Sequence, residues 1–410
     1  IYIAGIAMTV FGRHLERGLD DLAGEALQGA LKDANCQLED LGIAYYSGMT
    51  NGPLQGQISI PGQVVLAKLG VHSIPIFNVE NACASGSPAV NLAVQSLKAG
   101  TTDVALALGA ERRDIPDKVK AFALFEAGWD ISRAEENYQT LVKMGEGIEV
   151  PEGSESDKPY SKFMAIYAAM CRLHMKTFGT TQRQIAAVCA KNHTHSVHNP
   201  WSQFRKPFTI DEVLASPPIT YPITLPMCAP LSDGAAAAIL CTEEGLKRIG
   251  ADKSRCIKIS ASVLRSFSPR RIDQPELHVG RLAAQKAYEI AGLGPQDMHV
   301  AEVHDASAMG EIIQAENLGL VELGMGGPAA ERGEFTIGGR IPINPSGGLE
   351  SKGHPIGATG IGQLYELVTQ LRGAAGARQV EGARHAIQEN GGGMQGVEEA
   401  AVAIHILSKS

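Results

Sequence analysis

Two stretches of similar design decide how this chain is built: GHPIGATGIGQLYELVTQLRG (353–373) and, much earlier, NACASGSPAVNLAVQSLKAG (81–100). Each begins with a turn of small residues, continues as a helical pattern and ends with a basic residue and a glycine. Because a self-similar unit in both halves is the mark of repeated architecture, the match predicts an internal duplication.

The segments around these stretches alternate between strand and helix patterns. In the first half, YIAGIAM is followed by LAGEALQGALKDA, the apolar stretch 76–82 and VALALGAE. In the second half CIKISASVLR, GRLAAQKAYEIAGL, VAEVHDA and AAVAIHIL follow in the same order. Short apolar runs alternating with helices predict an α/β fold with layered, buried strands.

Residues 112–205 interrupt this alternation with the polar stretch GEGIEVPEGSESDKP and the helical YSKFMAIYAAMCRLHMKTFG. We interpret them as an inserted loop or lid domain. The remaining chain then forms an N-terminal half, residues 1–111 and 206–250, and a C-terminal half, residues 251–410.

Composition narrows the class of protein. The 410 residues are 44% hydrophobic and 20% charged, and the net charge of -8 does not provide the basic surface that nucleic acid or an anionic membrane requires. The seven cysteines are scattered singly, without the spacing of a zinc site or a disulfide framework. We therefore expect a cytoplasmic globular protein without a bound metal and without a permanently bound cofactor.

Cys83 is the first candidate catalytic residue. It lies in NVENACASGSP, where a strand pattern changes to small residues and then to a helix. A helix N-terminus favours a thiolate, small neighbours leave room for a substrate, and backbone N–H groups of the turn could face an oxyanion. A lone cysteine is more often a small buried apolar residue, which is how we interpret the other six.

His354 is the second candidate, in the Gly- and Pro-rich stretch NPSGGLESKGHPIGATG (344–360). A histidine in such a turn could take the proton from a thiol supplied by the other half. Gly357, Gly360 and Gly362 do not have the spacing of a dinucleotide fingerprint, so that interpretation is disfavoured.

Two further clusters follow strand patterns. VAEVHDAS places His304 and Asp305 where an apolar strand ends, and ENGGGMQG offers the bare N–H groups of Gly391 to Gly393. Taken alone, His304 is more often structural than catalytic. The histidines of KNHTHSVHNP have the spacing of a polar loop rather than of a metal site.

Together, NACASGS, CAPLSDGAAA (228–237), EVHDAS, NPSGGLESKGHPIGATG and NGGGMQG resemble the thiolase superfamily in order and spacing along nearly the whole chain. The histidine of EVHDAS, together with FGTTQRQIAAVCAKNH and NPWSQFRKPFT, resembles the sterol-carrier-protein-X branch and its bacterial and archaeal relatives. The resemblance implies a five-layer αβαβα fold of two similar halves, a loop domain that covers coenzyme A, and a homodimer or tetramer.

The resemblance also implies roles for single residues. Cys83 would be the acylated nucleophile, and His354 would activate it and form one oxyanion pocket with His304 or with a water that His304 holds. The backbone N–H groups of Cys83 and Gly391 would form the other pocket. The run Ser346, Gly347 and Gly348 would lie along the pantetheine arm of coenzyme A.

The reaction implied is thiolysis of a 3-oxoacyl-CoA by free coenzyme A, or the reverse Claisen condensation. Alternatives are transfer of the acyl group from Cys83 to another acceptor, and a non-catalytic subunit. Related proteins often pair with a small zinc-ribbon OB-fold protein, which makes such a partner a further expectation. Short-chain fatty, branched, steroid-derived and aromatic acyl groups all stay open, and a role in degrading such acids is the expected setting.

One feature departs from the family pattern. Most thiolases carry a second catalytic cysteine, in a CxGGG motif or in the HDCF motif of the sterol-carrier branch. Here Glu389 stands at the first position and Ala306 at the second. A buried carboxyl group can keep its proton at neutral pH, so Glu389 is the candidate acid and base, with His304 as the rival.

Overall fold

The computed structural model describes residues 1–113 and 124–409. Its strands are β1 Tyr2–Met8, β2 Ile43–Ser47, β3 Ile76–Val79, β4 Val104–Glu111, β5 Pro218–Thr220, β6 Ile223–Thr224, β7 Gly234–Cys241, β8 Ile257–Ser266, β9 Val300–Glu302, β10 His385–Gly392 and β11 Ala401–Lys409. Its α-helices are α1 Leu19–Ala34, α2 Asn51–Gln55, α3 Pro61–Lys68, α4 Gly86–Lys98, α5 Ala134–Val142, α6 Lys162–Phe178, α7 Gln182–Ser196, α8 Ile210–Leu214, α9 Glu243–Ile249, α10 Val279–Ala291, α11 Ala308–Asn317, α12 Gly326–Glu331, α13 Gly348–Lys352 and α14 Ile356–Leu371.

Nine strands form one continuous sheet in the order β3-β2-β4-β7-β1-β8-β11-β10-β9. Its two parts meet at a short antiparallel contact in which Tyr2 pairs with Lys258 and Ile3 with Ile257. β5 and β6 form a separate hairpin.

The two parts of the sheet repeat one pairing pattern. β1 pairs antiparallel with β7, β7 antiparallel with β4, and β4 parallel with β2. β8 likewise pairs antiparallel with β11, β11 antiparallel with β10, and β10 parallel with β9. The parallel β2–β3 pair matches a single parallel bridge from Ala301 to Ile343. This is the pattern that a duplicated unit produces.

Helices separate and cover the two parts of the sheet. α4 and α14 pack against each other and contact strands of both parts, so they form the middle layer. α1 covers β1 and β7 on one outside, and α10 covers β8 and β11 on the other. The expected α/β class and five-layer αβαβα order are therefore confirmed.

Glycines let the two middle helices meet closely. A Cβ on Gly86 would lie 2.9 Å from Gly357 O, and one on Gly360 would overlap the Ser87 hydroxyl. A Cβ on Gly362 would lie 2.9 Å from the ring of Phe11. The glycines that hint at a dinucleotide motif thus serve helix packing.

The predicted insert contributes α5, α6 and α7, although its residues 114–123 lie outside the described part. The buried residue Ile166 of α6 packs with Trp129, Leu141 and Met394 in a small apolar cluster, while Ile185 of α7 joins the core of the C-terminal half. Across residues 1–113 and 124–409, none of the helices combines the length and apolar character that crossing a membrane requires.

Candidate active site

Cys83 occupies a tight turn between β3 and α4. The preceding residue, Ala82, has φ 49°, a left-handed conformation that side chains rarely adopt. The Ser85 hydroxyl stabilises the turn, since it accepts from Asn81 N at 2.9 Å and donates to Ala82 O at 2.6 Å. α4 starts at Gly86, so the thiol lies just before a helix, as the sequence predicted.

The C-terminal half fixes this turn from the other side. The Asn390 amide donates to Cys83 O at 3.2 Å, and its oxygen accepts from the Ser87 hydroxyl at 2.9 Å. A Cβ on Gly392 would overlap Asn81 O and Ala84 N and lie 2.9 Å from Cys83 N. The nucleophile turn therefore rests directly on the end of β10.

His354 is held in a defined orientation. Its backbone N–H donates to the Ser232 hydroxyl at 2.9 Å, and its Nδ1 lies 2.7 Å from Thr359 Oγ1. The Thr359 hydroxyl donates to Pro355 O at 3.0 Å and therefore accepts from Nδ1–H. Nε2, buried without a hydrogen-bond partner, is then the bare acceptor nitrogen.

The three predicted catalytic side chains meet at one point. Cys83 Sγ and one ring nitrogen each of His304 and His354 lie within 4.8 Å of one another. The imidazoles pack edge to face with centroids 5.2 Å apart. Thiolate and imidazole are also zinc ligand types, so this is the cluster of the described residues that could hold a metal.

Burial decides the protonation states here. It lowers the pKa of His304 to about 4 and that of His354 well below its usual range, so both imidazoles are neutral at pH 7. Burial raises the pKa of the Cys83 thiol to about 11, opposed first by the positive charge of Arg113. Desolvation therefore outweighs the effect of the helix N-terminus, and the thiol needs a base, the role predicted for His354.

The cluster opens into a large cavity of about 1590 Å³. Besides Cys83 and the two imidazoles, its wall includes the backbone of 391–393 and side chains of α6. The expected insert thus supplies much of the surface around the nucleophile.

Glu389 lies behind this wall rather than in it. The side chain is fully buried, and one carboxylate oxygen accepts from the His304 backbone N–H at 2.9 Å. The other oxygen has no partner. Burial, and then the neighbouring Glu399, raise the pKa of Glu389 well above its usual range, so the carboxyl group holds a proton at neutral pH.

Family models match most of the chain. The model for the thiolase N-terminal domain matches residues 1–215, and the model for the thiolase C-terminal domain-like family matches residues 268–408. The chain belongs to the thiolase family.

Curated relatives agree along nearly the whole chain. Sterol carrier protein 2 of Rattus norvegicus is 36% identical over 95% of this chain and 69% of its own length. An acetyl-CoA acetyltransferase of Methanothermobacter thermautotrophicus is 35% identical over 100% of this chain and 99% of its own. The benzoylsuccinyl-CoA thiolase subunit BbsB of Thauera aromatica is 34% identical over 93% and 91%. These relatives confirm the sterol-carrier-type branch and an acyltransferase enzyme.

A solved structure confirms the thiolase fold. The chain named Ltp2-ChsH2(DUF35) aldolase superposes with a TM-score of 0.77 at 21% identity, covering 100% of this chain and 97% of that one. At 21% identity this superposition shows a shared fold and nothing further.

The run Ser346 to Gly348, predicted to lie along the pantetheine arm, is packed against other parts of the protein. The Ser346 hydroxyl is buried and donates to Glu302 at 2.8 Å. A Cβ on Gly347 would lie 2.5 Å from the Ser196 side chain, and one on Gly348 would overlap the Asp305 carboxylate. This run packs inside the protein and is not part of the cavity wall as described, so contact with coenzyme A stays a prediction.

Other predicted residues have structural partners. His195 Nδ1–H donates to Asn344 O at 3.0 Å, and its Nε2 accepts from Ile337 N at 3.2 Å. Two basic side chains, Lys206 and Arg270, also line the cavity. Arg270 is already engaged by Glu398 at 2.6 Å.

Sequence reasoning missed three residues of the site. Arg113 is buried, lines the cavity and donates to His354 O at 3.1 Å. Glu399 and Cys228 also line the cavity, although Cys228 was interpreted as an inert core residue. The motif CAPLSDGAAA was the available signal for Cys228, whereas Arg113 and Glu399 stand in stretches that resemble no motif.

Proposed function

We propose that this thiolase cleaves a 3-oxoacyl-CoA with free coenzyme A, or performs the reverse condensation, through an acyl group carried on Cys83. The observation that supports this is the convergence of Cys83, His304 and His354 within 4.8 Å in the wall of the cavity. A thiol beside a bare imidazole nitrogen is the arrangement of an activated nucleophile.

His354 is the base in this proposal. Its Nε2 is unprotonated and unpartnered, and it takes the Cys83 proton as the thiolate attacks the 3-keto carbon. The Cα–Cβ bond then breaks, the acyl group stays on sulfur, and the enolate of the shorter acyl-CoA leaves. Coenzyme A thiol attacks the acyl-Cys83 thioester, and the departing Cys83 thiolate recovers its proton from His354.

Two oxyanion pockets are proposed. One lies beside the two imidazoles: His304 Nε2 is buried without a partner, and His354 Nε2 becomes a donor once it has taken the Cys83 proton. The backbone N–H groups of Cys83 and Gly391 form the other, supported by the packing of the 391–393 glycines against the nucleophile turn. Fixed donors in a dry site are the usual source of such stabilisation.

The acyl group itself is left to experiment. The relative named for benzoylsuccinyl-CoA supports an aromatic acyl group, and the one named for acetyl-CoA supports a short one. Aromatic side chains of α6, Phe163 and Tyr167, line the cavity beside Cys83 and fit either class.

Intact-protein mass spectrometry tests the proposal. The chain is mixed with acetyl-CoA, acetoacetyl-CoA, benzoylacetyl-CoA and benzoylsuccinyl-CoA, with Cys83→Ala and the buried-cysteine variant Cys171→Ala as controls. We expect an acyl adduct that persists in Cys171→Ala, vanishes in Cys83→Ala and is discharged by free coenzyme A. Discharge by other acceptors but not by coenzyme A would favour the alternative acyltransferase, and absence of any adduct would contradict the proposal.

The proposal extends to assembly and location. BbsB is named as a subunit, and the solved structural neighbour is named as Ltp2 together with ChsH2(DUF35). Both names support a small partner protein for this chain. A homodimer or tetramer, the cytoplasm, and the division into 1–111 with 206–250, 112–205 and 251–410 stay predictions. Co-purification and light scattering test the assembly.

A further inference from the structure

A thiolase must protonate the α-carbon of the enolate that carbon–carbon cleavage releases, so its site needs a proton donor. Ala306 occupies one of the two places where the family has a cysteine for this purpose. Glu389 occupies the other but lies behind His304. A second carboxyl group, Glu399, does line the cavity.

The two carboxyl groups flank Gly391. A Cβ on Gly391 would lie 3.1 Å from Glu389 Oε1 and 3.5 Å from Glu399 Cδ. Glu389 Oε1 is buried without a hydrogen-bond partner, whereas Glu399 Oε2 faces His278 Nε2 at 3.2 Å. Buried polar atoms left unpartnered in this way are costly and need a ligand, a water or a proton to explain them.

Two side chains that also line the cavity hold the carboxyl group of Glu399. Its Oε1 accepts from the Gln314 amide at 2.8 Å, and its Oε2 lies 3.2 Å from His278 Nε2. Burial lowers the pKa of His278, so this ring is neutral at pH 7 and does not cancel the charge of the carboxylate.

We propose that Glu399 and Glu389 together hold the α-carbon proton of this site, and that Glu399 presents it to the substrate. The inference rests on the proposed thiolase function and names a further catalytic residue for it. Burial and the neighbouring Glu399 raise the pKa of Glu389 well above its usual range, so the pair holds one proton at neutral pH.

The proton balance closes over one catalytic cycle. After Cα–Cβ cleavage the pair gives its proton to the enolate carbon, which forms a C–H bond, and both carboxyl groups are then ionised. When coenzyme A attacks acyl-Cys83, the pair takes the proton of the coenzyme A thiol. The pair and His354 thus end the cycle in their starting states.

Exchange of the α-proton with solvent measures this step directly. The acyl-CoA that forms the Cys83 adduct is incubated with enzyme in D₂O, and deuterium in the free acyl-CoA is followed by mass. In Glu399→Gln and Glu389→Gln we expect Cys83 acylation to persist and exchange to slow by about 10²-fold or more, the usual contribution of a general acid or base. The matched control is Glu276→Gln at an exposed position, which should exchange like the parent.

Further variants keep the outcome clear. Glu399→Asp, which retains a carboxyl group, should restore part of the exchange, whereas a merely structural role would make it no better than Gln. Unchanged exchange in Glu399→Gln, loss of exchange in Cys228→Ala alone, or a parent enzyme that acylates without any exchange would each overturn the inference. A parent enzyme without any adduct would instead remove the proposed function.

Discussion

The imidazole rings of His304 and His354 meet at 73°, with their centroids 5.2 Å apart. His304 follows β9 and His354 precedes α14, so two elements of the C-terminal half bring these rings together beside a thiol from the N-terminal half. Desolvation keeps both rings neutral at pH 7, so each ring has one unprotonated nitrogen that can accept a proton.

Removing the hydroxyl that orients His354 should slow Cys83 chemistry. In Thr359→Val the Nδ1–H loses its acceptor, and we expect acylation of Cys83 to fall about fivefold to tenfold, the value of one hydrogen bond. Thr369→Val removes a hydroxyl of the same helix that bonds only within the helix, to Tyr365 O at 2.7 Å, and serves as the control. Stopped-flow acylation compares the two, and equal rates would show that this bond does not position the base.

The Asn390 side-chain amide joins the C-terminal half to the nucleophile turn of the N-terminal half. Removing it should lower both the stability of the fold and the reactivity of Cys83. Asn390→Ala leaves Cys83 O without its donor and takes the acceptor from the Ser87 hydroxyl, which keeps only the Gln388 amide as a donor, so we expect the free energy of unfolding to fall by about 1–3 kcal/mol. Urea unfolding measures that loss, and iodoacetamide labelling of Cys83 reports the turn. Unaltered stability would mean that water replaces the amide without cost.

Adding one methyl group at Gly392 should displace the nucleophile. The new Cβ would overlap Asn81 O and Ala84 N, and backbone atoms cannot yield as a flexible side chain can. We expect Gly392→Ala to lose adduct formation. Gly12→Ala is the control, because a Cβ there meets nothing within 4 Å. An active Gly392→Ala would show that β10 does not fix the turn.

The buried carboxyl of Glu389 should make stability depend on pH. Its folded pKa lies well above 4.5, so its favourable contribution is fully present below pH 4.5 and is lost as the pH rises towards the folded pKa. Glu389→Gln has no such loss and should gain stability relative to the parent between pH 4.5 and pH 7. Urea unfolding at both pH values tests this, with exposed Glu276→Gln as the control; a constant difference would contradict it.

The strands and helices that sequence could predict are those with a strong pattern of their own. YIAGIAM and VALALGAE are β1 and β4 to the residue. The run GAAAAILC, however, carries no strand signal, because alanine favours helices. It becomes β7 because β1 and β4 pair with it on both sides and bury it completely.

The site was predictable where a motif marks it. Cys83, His354 and His304 stand in recognisable motifs, and their side chains meet as expected. Arg113 and Glu399 lie far apart in sequence, and only folding places them on one cavity wall. The thiol's protonation likewise depends on burial, which local sequence does not specify.

The bond from Asn390 to Cys83 spans 307 positions of the chain. During synthesis the thiol is made long before the imidazole that removes its proton and the strand that steadies its turn. An incomplete chain therefore carries Cys83 without the base and without the fixed turn that the proposed reaction needs. The nucleophile becomes competent only when the C-terminal half has folded against it.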